Sequence, residues 1–257
     1  MSIQQHTTIT KISDFYLIDE LLKKVNKNHL VLFDVDEVLI MDQEEYRLTH
    51  PYRREWVIDS KARLDKHHRD TLFSIILKDR NIRLVDPYIT AILTKLWHMG
   101  IPTAALTKLY TGKFGIIEDL TNWRIKELNN VDIDFTRATP IKDTIILDTI
   151  DMGRGFPMIT EGIIFTADID KGHVLENILL KAKYFPETII FFDDLMENIL
   201  SVEKMCKKWN INYYGFEFDG ASLIPEAELH KESEKIRFNI LEQEHRWTTD
   251  FIIKLKD

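Results

Sequence analysis

The sequence predicts an α/β fold: an open, three-layer sheet of mainly parallel strands carrying a small, mainly helical insertion. Three observations predict it. Apolar runs too continuous to be half-exposed recur at 30–34, 101–107 and 188–194, reading "LVLFD", "IPTAALT" and "TIIFFDD". Segments with helical spacing separate these runs, and strands alternating with helices pair in parallel through right-handed crossovers. The composition suits one such core: 257 residues, 44% hydrophobic, with nine Gly and seven Pro and no low-complexity tract.

Each element has its own signal. Residues 14–26 predict the first helix, capped by Ser13 or Asp14, with Leu17, Ile18, Leu21, Leu22 and Val25 at helical spacing. The strand 30–34 reads as central. Residues 43–83 change in character, highly charged, with Leu64, Thr71, Leu72, Ile75 and Ile76 pointing to one amphipathic helix. Asp86, Pro87 and Gly100 bracket a helix over 87–99. Beyond strand 101–107, a helix over 112–128 carries Phe114, Ile117, Leu120 and Leu128, and "VDIDF" (131–135) reads as a third strand. Residues 136–160 are the least legible; "TIILDTI" and, after Gly162, "IIFTA" suggest a short antiparallel excursion. Helices over 172–184 and 195–209 flank the strand 188–194, and a strand over 211–218 completes the alternation. Pro225 opens a long polar helix to about Trp247 whose narrow apolar stripe suggests a surface or partner-facing role; "TTDFIIKLKD" gives no signal. The chain thus divides into a core of 1–42 and 84–224, an insertion of 43–83 and a C-terminal helical extension of 225–257.

Several function classes drop out. A net charge of −8 argues against nucleic-acid binding, which demands a basic surface. No apolar stretch approaches the ~18 residues of a membrane span, and "MSIQQHTTITKISDFY" lacks the layout of a secretory signal. Cys206 is the one cysteine, so an intrachain disulfide is excluded and a core position is expected for it. A cytoplasmic location is the expectation; export and oligomeric state are not legible.

Ligands of open α/β sheets bind beyond the carboxyl ends of the strands, and Asp34, Thr107, Asp193 and Asp194 all fall at such ends. Asp34 and Asp36, two residues apart, project the same way. Carboxylates crowded together need a cation or a shared proton. Four acids in one place call for a metal, and hard oxygen donors suit Mg²⁺, which bridges to substrate phosphate. Lys171 begins a helix with Gly172 behind it, a place suited to phosphate oxygens. Metal, lysine, hydroxyl and two carboxylates are the parts that phosphoryl transfer requires. Each signal alone has a bland reading. Asp-x-Asp after an apolar run is common, a strand-end Thr is normally a turn residue, a helix-start Lys is mostly solvated, and Asp-Asp before a helix usually caps it. Their joint order along the chain is what discriminates.

"FDVDEVL", "ALT", "KG" with "LENIL", and "IIFFDD" with "EN" resemble, in order and strand context, the four motifs of the haloacid dehalogenase-like (HAD) phosphatase superfamily. The resemblance spans residues 30–216, and the stretch 171–218 is similar to a little-characterised branch from intracellular bacteria. HAD-type tyrosine phosphatases delivered by such bacteria as effectors are a looser likeness. The resemblance implies a HAD-like Rossmannoid core with a cap and Mg²⁺-dependent hydrolysis of a phosphomonoester. Asp34 would be the nucleophile and Asp36 the proton donor and acceptor, while Thr107 and Lys171 would hold the phosphoryl oxygens. The metal set would be Asp34, Asp36 through its backbone carbonyl, Asp193 and Asp194, with Asp194 binding a metal water or orienting Lys171 and Asn198 in support. The resemblance also narrows the reaction, because HAD dehalogenases lack the second Asp and ion-pumping ATPases carry Lys-Thr-Gly instead. Glu37 departs from the pattern, standing where Gly or Asn is often found.

The implied substrate is a phosphorylated small molecule or a phosphoprotein, phosphotyrosine included. The alternatives are a phosphomutase using the same intermediate and a catalytically silent binding protein of the same fold. Residues 51–83 carry nine Lys or Arg against five Asp or Glu, a local excess of four positive charges. That is either a solvated helical face or a mobile cap attracting an anion, with Arg53, Arg54, Lys61, Arg69, His50 and Tyr52 as unranked candidates. His67 and His68 form no metal motif, and alternation puts at least one of Tyr213 and Tyr214 in the core.

Overall fold

In a computed structural model, residues 6–43, 46–149 and 153–248 are described. The chain forms two compact units. The first contains Met1–Met41, Leu84–Gly112 and Leu120–Leu223, and the second Asp42–Arg83, Lys113–Asp119 and Ile224–Asp257.

The described strands, in chain order, are β1 (Thr7–Ile12), β2 (His29–Phe33), β3 (Ile40–Asp42), β4 (Ile82–Leu84), β5 (Thr103–Thr107), β6 (Ile145–Ile146), β7 (Met158–Thr160), β8 (Ile163–Phe165), β9 (Thr188–Asp193) and β10 (Asn212–Phe218). Eight of them form one sheet in the order β1-β10-β9-β2-β5-β8-β7-β6, and β3 pairs with β4. Pairing is parallel from β1 to β8 and antiparallel between β8, β7 and β6. The expected parallel α/β sheet with a short antiparallel excursion is therefore present. All of β9 and Leu30 to Phe33 of β2 are buried, as strands covered on both faces must be.

The helices of the first unit are α1 (Asp19–Leu22), α4 (Ile89–His98), α5 (Leu120–Asn129), α6 (Lys171–Ala182) and α7 (Met196–Trp209); those of the second are α2 (Pro51–Arg63), α3 (Lys66–Asp79) and α8 (Lys231–Glu244). On one face of the sheet, Leu30, Leu32, Ile189 and Phe191 pack with Val174, Leu175 and Ile178 of α6 and with Ile199, Val202 and Cys206 of α7. Burial pushes the Cys206 thiol up to about 12, as a core residue requires. Alternation turns Phe33 and Phe192 to the opposite face. Their rings stack at 4.9 Å, Phe15 meets both edge-on at 5.8 and 5.6 Å, and Phe15 stacks on Phe218 at 4.5 Å.

Several expectations are corrected. The first helix is a short 3-10 turn, Phe15–Ile18, followed by the one-turn α1; Asp14 does cap it, accepting from the Leu17 N–H at 3.1 Å. β1, an edge strand on β10, had no counterpart in the sequence reading. The helix expected from 112 begins only at Leu120, because Gly115 at φ +54° and a bridge between Phe114 and Ile117 turn the chain tightly before it. Residues 131–135 form no strand: Asp132 is left-handed at φ +61°, and Asp134 caps a 3-10 turn, Phe135–Arg137. Tyr213 is buried and Tyr214 half-buried, as alternation requires.

In the second unit, the single helix expected within 43–83 is two. Leu64 is extended, and Asp65 caps α3 by accepting from the His68 N–H at 2.9 Å. The C-terminal helix begins at Lys231 rather than Pro225 and is a core element of this unit, not a separate extension. Phe238 and Leu241 of α8 pack with Tyr46, Leu72, Ile75, Ile76 and Trp247, and Trp56 of α2 stacks on Phe238 at 4.3 Å. Arg53, a substrate candidate, is fully buried, its Nε 2.7 Å from Glu234 Oε2. It is spent on joining α2 to α8. Arg54 and Lys61 are exposed. The segment after Thr248 lies outside the described residues.

Removing one member of a buried ion pair strands its partner's charge. Arg53→Met is expected to destabilise the second unit by about 3–5 kcal/mol, read as a lowered urea midpoint.

Candidate active site

The site begins with strand register. β2 and β9 pair Phe33 with Phe192, so Asp34 and Asp193 emerge side by side at the carboxyl end, and the Asp34 N–H donates to the Phe192 carbonyl at 2.8 Å. Alternation sends both side chains to the face covered by α6 and α7. There Lys171, the first residue of α6, places Nζ 2.6 Å from Asp34 Oδ1 and 2.7 Å from Asp193 Oδ2. All three residues are buried. The other oxygen of Asp193, Oδ1, accepts from the Leu195 N–H and from Asn198 Nδ2, both at 2.9 Å. Asp194 completes a cluster in which one oxygen each from Asp34, Asp193 and Asp194 lie within 4.8 Å of one another.

The start of α6 is pinned to α7. Asp170 caps α6, accepting from the His173 N–H at 2.9 Å and from Ser201 Oγ–H at 2.6 Å, while the Gly172 N–H donates to Ser201 Oγ at 2.8 Å. A Cβ on Gly172 would stand 2.3 Å from the Ser201 carbonyl oxygen, so glycine is what lets the helices close and Lys171 reach the strands. The Gly172 amide is committed inside the fold.

Three carboxylates face one ammonium here. Burial above all, with Asp193 and Asp194 adding repulsion against the pull of Lys171, raises the Asp34 carboxyl to about 8. Burial, then Asp193, raises Asp194 to about 7. Burial works against the charge of Lys171, but Asp34 and Asp193 outweigh it and hold its pKa above the usual value. The cluster is short of positive charge, and its donors are hard oxygens. Those properties fit a small divalent cation such as Mg²⁺.

The structure does not place the Asp36 carboxylate in this cluster. Arg124 of α5 takes it, with Nη2 at 3.0 and 2.7 Å from its two oxygens. The backbone carbonyl is thus the only group by which Asp36 could join a metal. Arg124 also donates from Nη1 to Glu127 Oε2 at 2.8 Å and lies over the Trp123 ring at 5.2 Å. The sequence reading missed Arg124. Its one trace is a charged residue on the apolar stripe of α5, four residues from both Leu120 and Leu128. Thr107 ends β5 beside β2 at the same sheet edge; it is buried, and its carbonyl accepts from the Thr166 N–H at 2.9 Å. Glu37 is left-handed at φ +63°, a conformation that Gly or Asn adopts at lower cost, and its charge adds to the upward pressure on Asp194.

Fold and site together define an α/β protein with a buried lysine–carboxylate cluster at the carboxyl edge of its sheet. Residues 11–250 match the family described as protein of unknown function (DUF2608), and the chain belongs to that family. It is 24% identical over 215 residues to an uncharacterised protein of Rickettsia prowazekii (strain Madrid E), covering 82% of this chain and 77% of that one. It is also 24% identical over 224 residues, 85% of this chain and 77% of the other, to a Chlamydia trachomatis serovar D protein named "Putative outer membrane protein". Among solved structures it is similar to a haloacid dehalogenase-like hydrolase from Streptococcus pneumoniae, with a TM-score of 0.41, 13% identity and coverage of 75% of this chain and 94% of that one. A phospho-aspartyl intermediate analogue of phosphoserine phosphatase gives a TM-score of 0.36 at 15% identity, covering 75% and 94%. Among the described residues, no helix is long and apolar enough to cross a membrane.

Two outcomes are expected. Glu37→Gly relieves the left-handed strain and raises unfolding stability by about 1 kcal/mol in a denaturant titration. Carboxyls whose pKa rises on folding bind protons more tightly in the native state than in the unfolded chain. The metal-free protein should therefore lose stability as pH climbs from 3.8, the ordinary carboxyl value, to about 8. Asp194→Asn should make that fall shallower, chiefly between 3.8 and about 7, in melting curves recorded with chelator.

Proposed function

We propose that the protein is a Mg²⁺-dependent phosphomonoester hydrolase acting through an aspartyl-phosphate. The observation that carries this reading is the bridging of Asp34 and Asp193 by one buried lysine, with Asp194 in the same cluster. Asp34, Asp193 and Asp194, with the backbone carbonyl of Asp36, would hold Mg²⁺, which supplies charge neutralisation for the transferred group.

The chain's own residues divide the rest of the work. Lys171 holds Asp34 Oδ1, fixing the carboxylate and leaving Oδ2 to attack phosphorus. Asp193 is fixed by Lys171, the Leu195 amide and Asn198 together, so its geometry is set before substrate arrives. Thr107 and Lys171 are the donors for phosphoryl oxygens. As the Asp34 oxygen–phosphorus bond forms, the ester P–O bond breaks and the leaving oxygen takes a proton from Asp36. Asp36 then takes a proton from water as its oxygen attacks phosphorus, freeing Asp34 and inorganic phosphate.

The substrate class proposed is a phosphorylated small molecule or a phosphoprotein, phosphotyrosine included. A cytoplasmic setting is part of the proposal, supported by the single buried cysteine. Cell fractionation decides between it and the envelope location in the chlamydial relative's name.

Hydrolysis of a generic aryl phosphate should require Mg²⁺, stop with chelator and fall to background in Asp34→Asn. Asp36→Asn should lower turnover by about 10²–10⁴-fold while still binding a beryllium-fluoride phosphate mimic. Turnover in Asp34→Asn equal to wild type would remove the nucleophile, and with it the mechanism.

A further inference from the structure

Asp36 is the exposed member of the pair that ends β2. Its side chain is 45% accessible and lies beyond the last ladder residue of the strand, whereas the Arg124 side chain that meets it is 2% accessible. An aspartate so placed has rotamer freedom unless something outside the strand removes it. The guanidinium that removes it is itself fixed. Arg124 sits on the first turns of α5, its Nη1 is held by the buried Glu127 carboxylate at 2.8 Å, and its plane lies over Trp123. Nη2 remains, and both oxygens of Asp36 are within 3.0 Å of it. The Nε of Arg124 is buried and meets no hydrogen-bond partner among the described residues.

We infer that Arg124 is the positioning residue for Asp36, and that Glu127 holds Arg124 in place for that task. The inference rests on the phosphatase reading and adds to it a residue on a different helix, 88 positions along the chain from the carboxylate it aims. Arg124 touches neither the phosphoryl group nor the metal cluster. Its effect passes through the place at which Asp36 meets the leaving oxygen. Loss of the clamp leaves substrate binding and attack by Asp34 intact but spreads Asp36 over several rotamers, and misplacement by about 1 Å costs on the order of 100-fold in rate.

The test uses the full chain with Mg²⁺ and a series of aryl and alkyl phosphates of rising leaving-group basicity. Arg124→Met should lower kcat/KM by about 100-fold, with the loss growing as the leaving group becomes more basic. Combined with Asp36→Asn it should add nothing further. Glu127→Gln should show the same trend more weakly, and it retains the guanidinium should Arg124→Met fail to fold. A kcat/KM loss equal for every leaving group, or one that adds to Asp36→Asn, would overturn the assignment and leave Arg124 a structural residue. Crystal structures of wild type and of Arg124→Met (or Glu127→Gln) supply a readout that needs no turnover. Asp36 should be ordered against Arg124 in the first and spread over rotamers in the second; an unmoved Asp36 overturns the inference. Absence of wild-type turnover would instead sink the phosphatase reading, and the crystal comparison alone would then decide the positioning role.

Discussion

Lys171 Nζ, buried between Asp34 and Asp193, is the contact on which the rest of the first unit depends. Placing one ammonium and two carboxylates out of water is costly, and such clusters are weak evidence for stability, since well-packed apolar residues often serve as well. With both of its carboxylates ionised the triad carries one excess negative charge, and Asp194 adds another when ionised. A fold that merely needed a core would have ended β2 and β9 on apolar residues. Every local feature around the lysine instead serves to hold it in place. The register of β2 on β9 brings the acids level, Gly172 lets α6 approach α7, Ser201 ties the first turn of α6 to that helix, and Asn198 occupies the oxygen of Asp193 that Lys171 leaves open.

Beneath the charges lies a rigid bed. The residues just before the two acids are Phe33 and Phe192, stacked on each other and braced by Phe15, which is stacked in turn on Phe218. The Phe15 N–H donates to Asp86 at 2.8 Å, so the loop carrying this ring is anchored to the start of α4. Aromatic rings in offset or edge contact bring large buried area with few rotamers. The strand ends therefore cannot slide to relieve repulsion among the carboxylates. Burial first, and that repulsion after it, raise the proton affinity of Asp34 and Asp194, which is the state a cation can exploit.

How much of this was legible in the sequence follows from the range of each signal. Continuous apolar runs identified β2, β5 and β9, and acids or a hydroxyl at their ends identified the cluster, because those patterns are local and repeat in chain order. Asp34, Asp193 and Asp194 were found that way and Lys171 as the charged start of a helix, and the structure brings the four together. What escaped was non-local. Arg124 meets a carboxylate 88 residues away, and Arg53 meets Glu234 across 181. No spacing rule links such positions. The C-terminal helix looked polar all round because two of its charged residues, Glu234 and Arg237, are buried in ion pairs that composition alone cannot distinguish from solvated surface. Backbone geometry hid the remainder: left-handed residues at Asp132 and Gly115 broke a strand and a helix whose side-chain patterns were otherwise acceptable.

Two aspartates separated by one residue end up in opposite environments, and that contrast is the basis for assigning them different tasks. Asp34 is buried against a lysine that fixes one of its oxygens, so it is held still and shielded from bulk water, as the proposed nucleophile should be. Asp36 lies beyond the ladder, nearly half exposed, with a guanidinium rather than an ammonium as its partner. The proton exchange proposed for Asp36 needs that access, yet it also needs a fixed direction. Exposure and order are ordinarily in conflict for a short carboxylate on a loop. A planar, buried arginine reconciles them, because it restrains the carboxylate from the protein side while leaving its outer face to solvent.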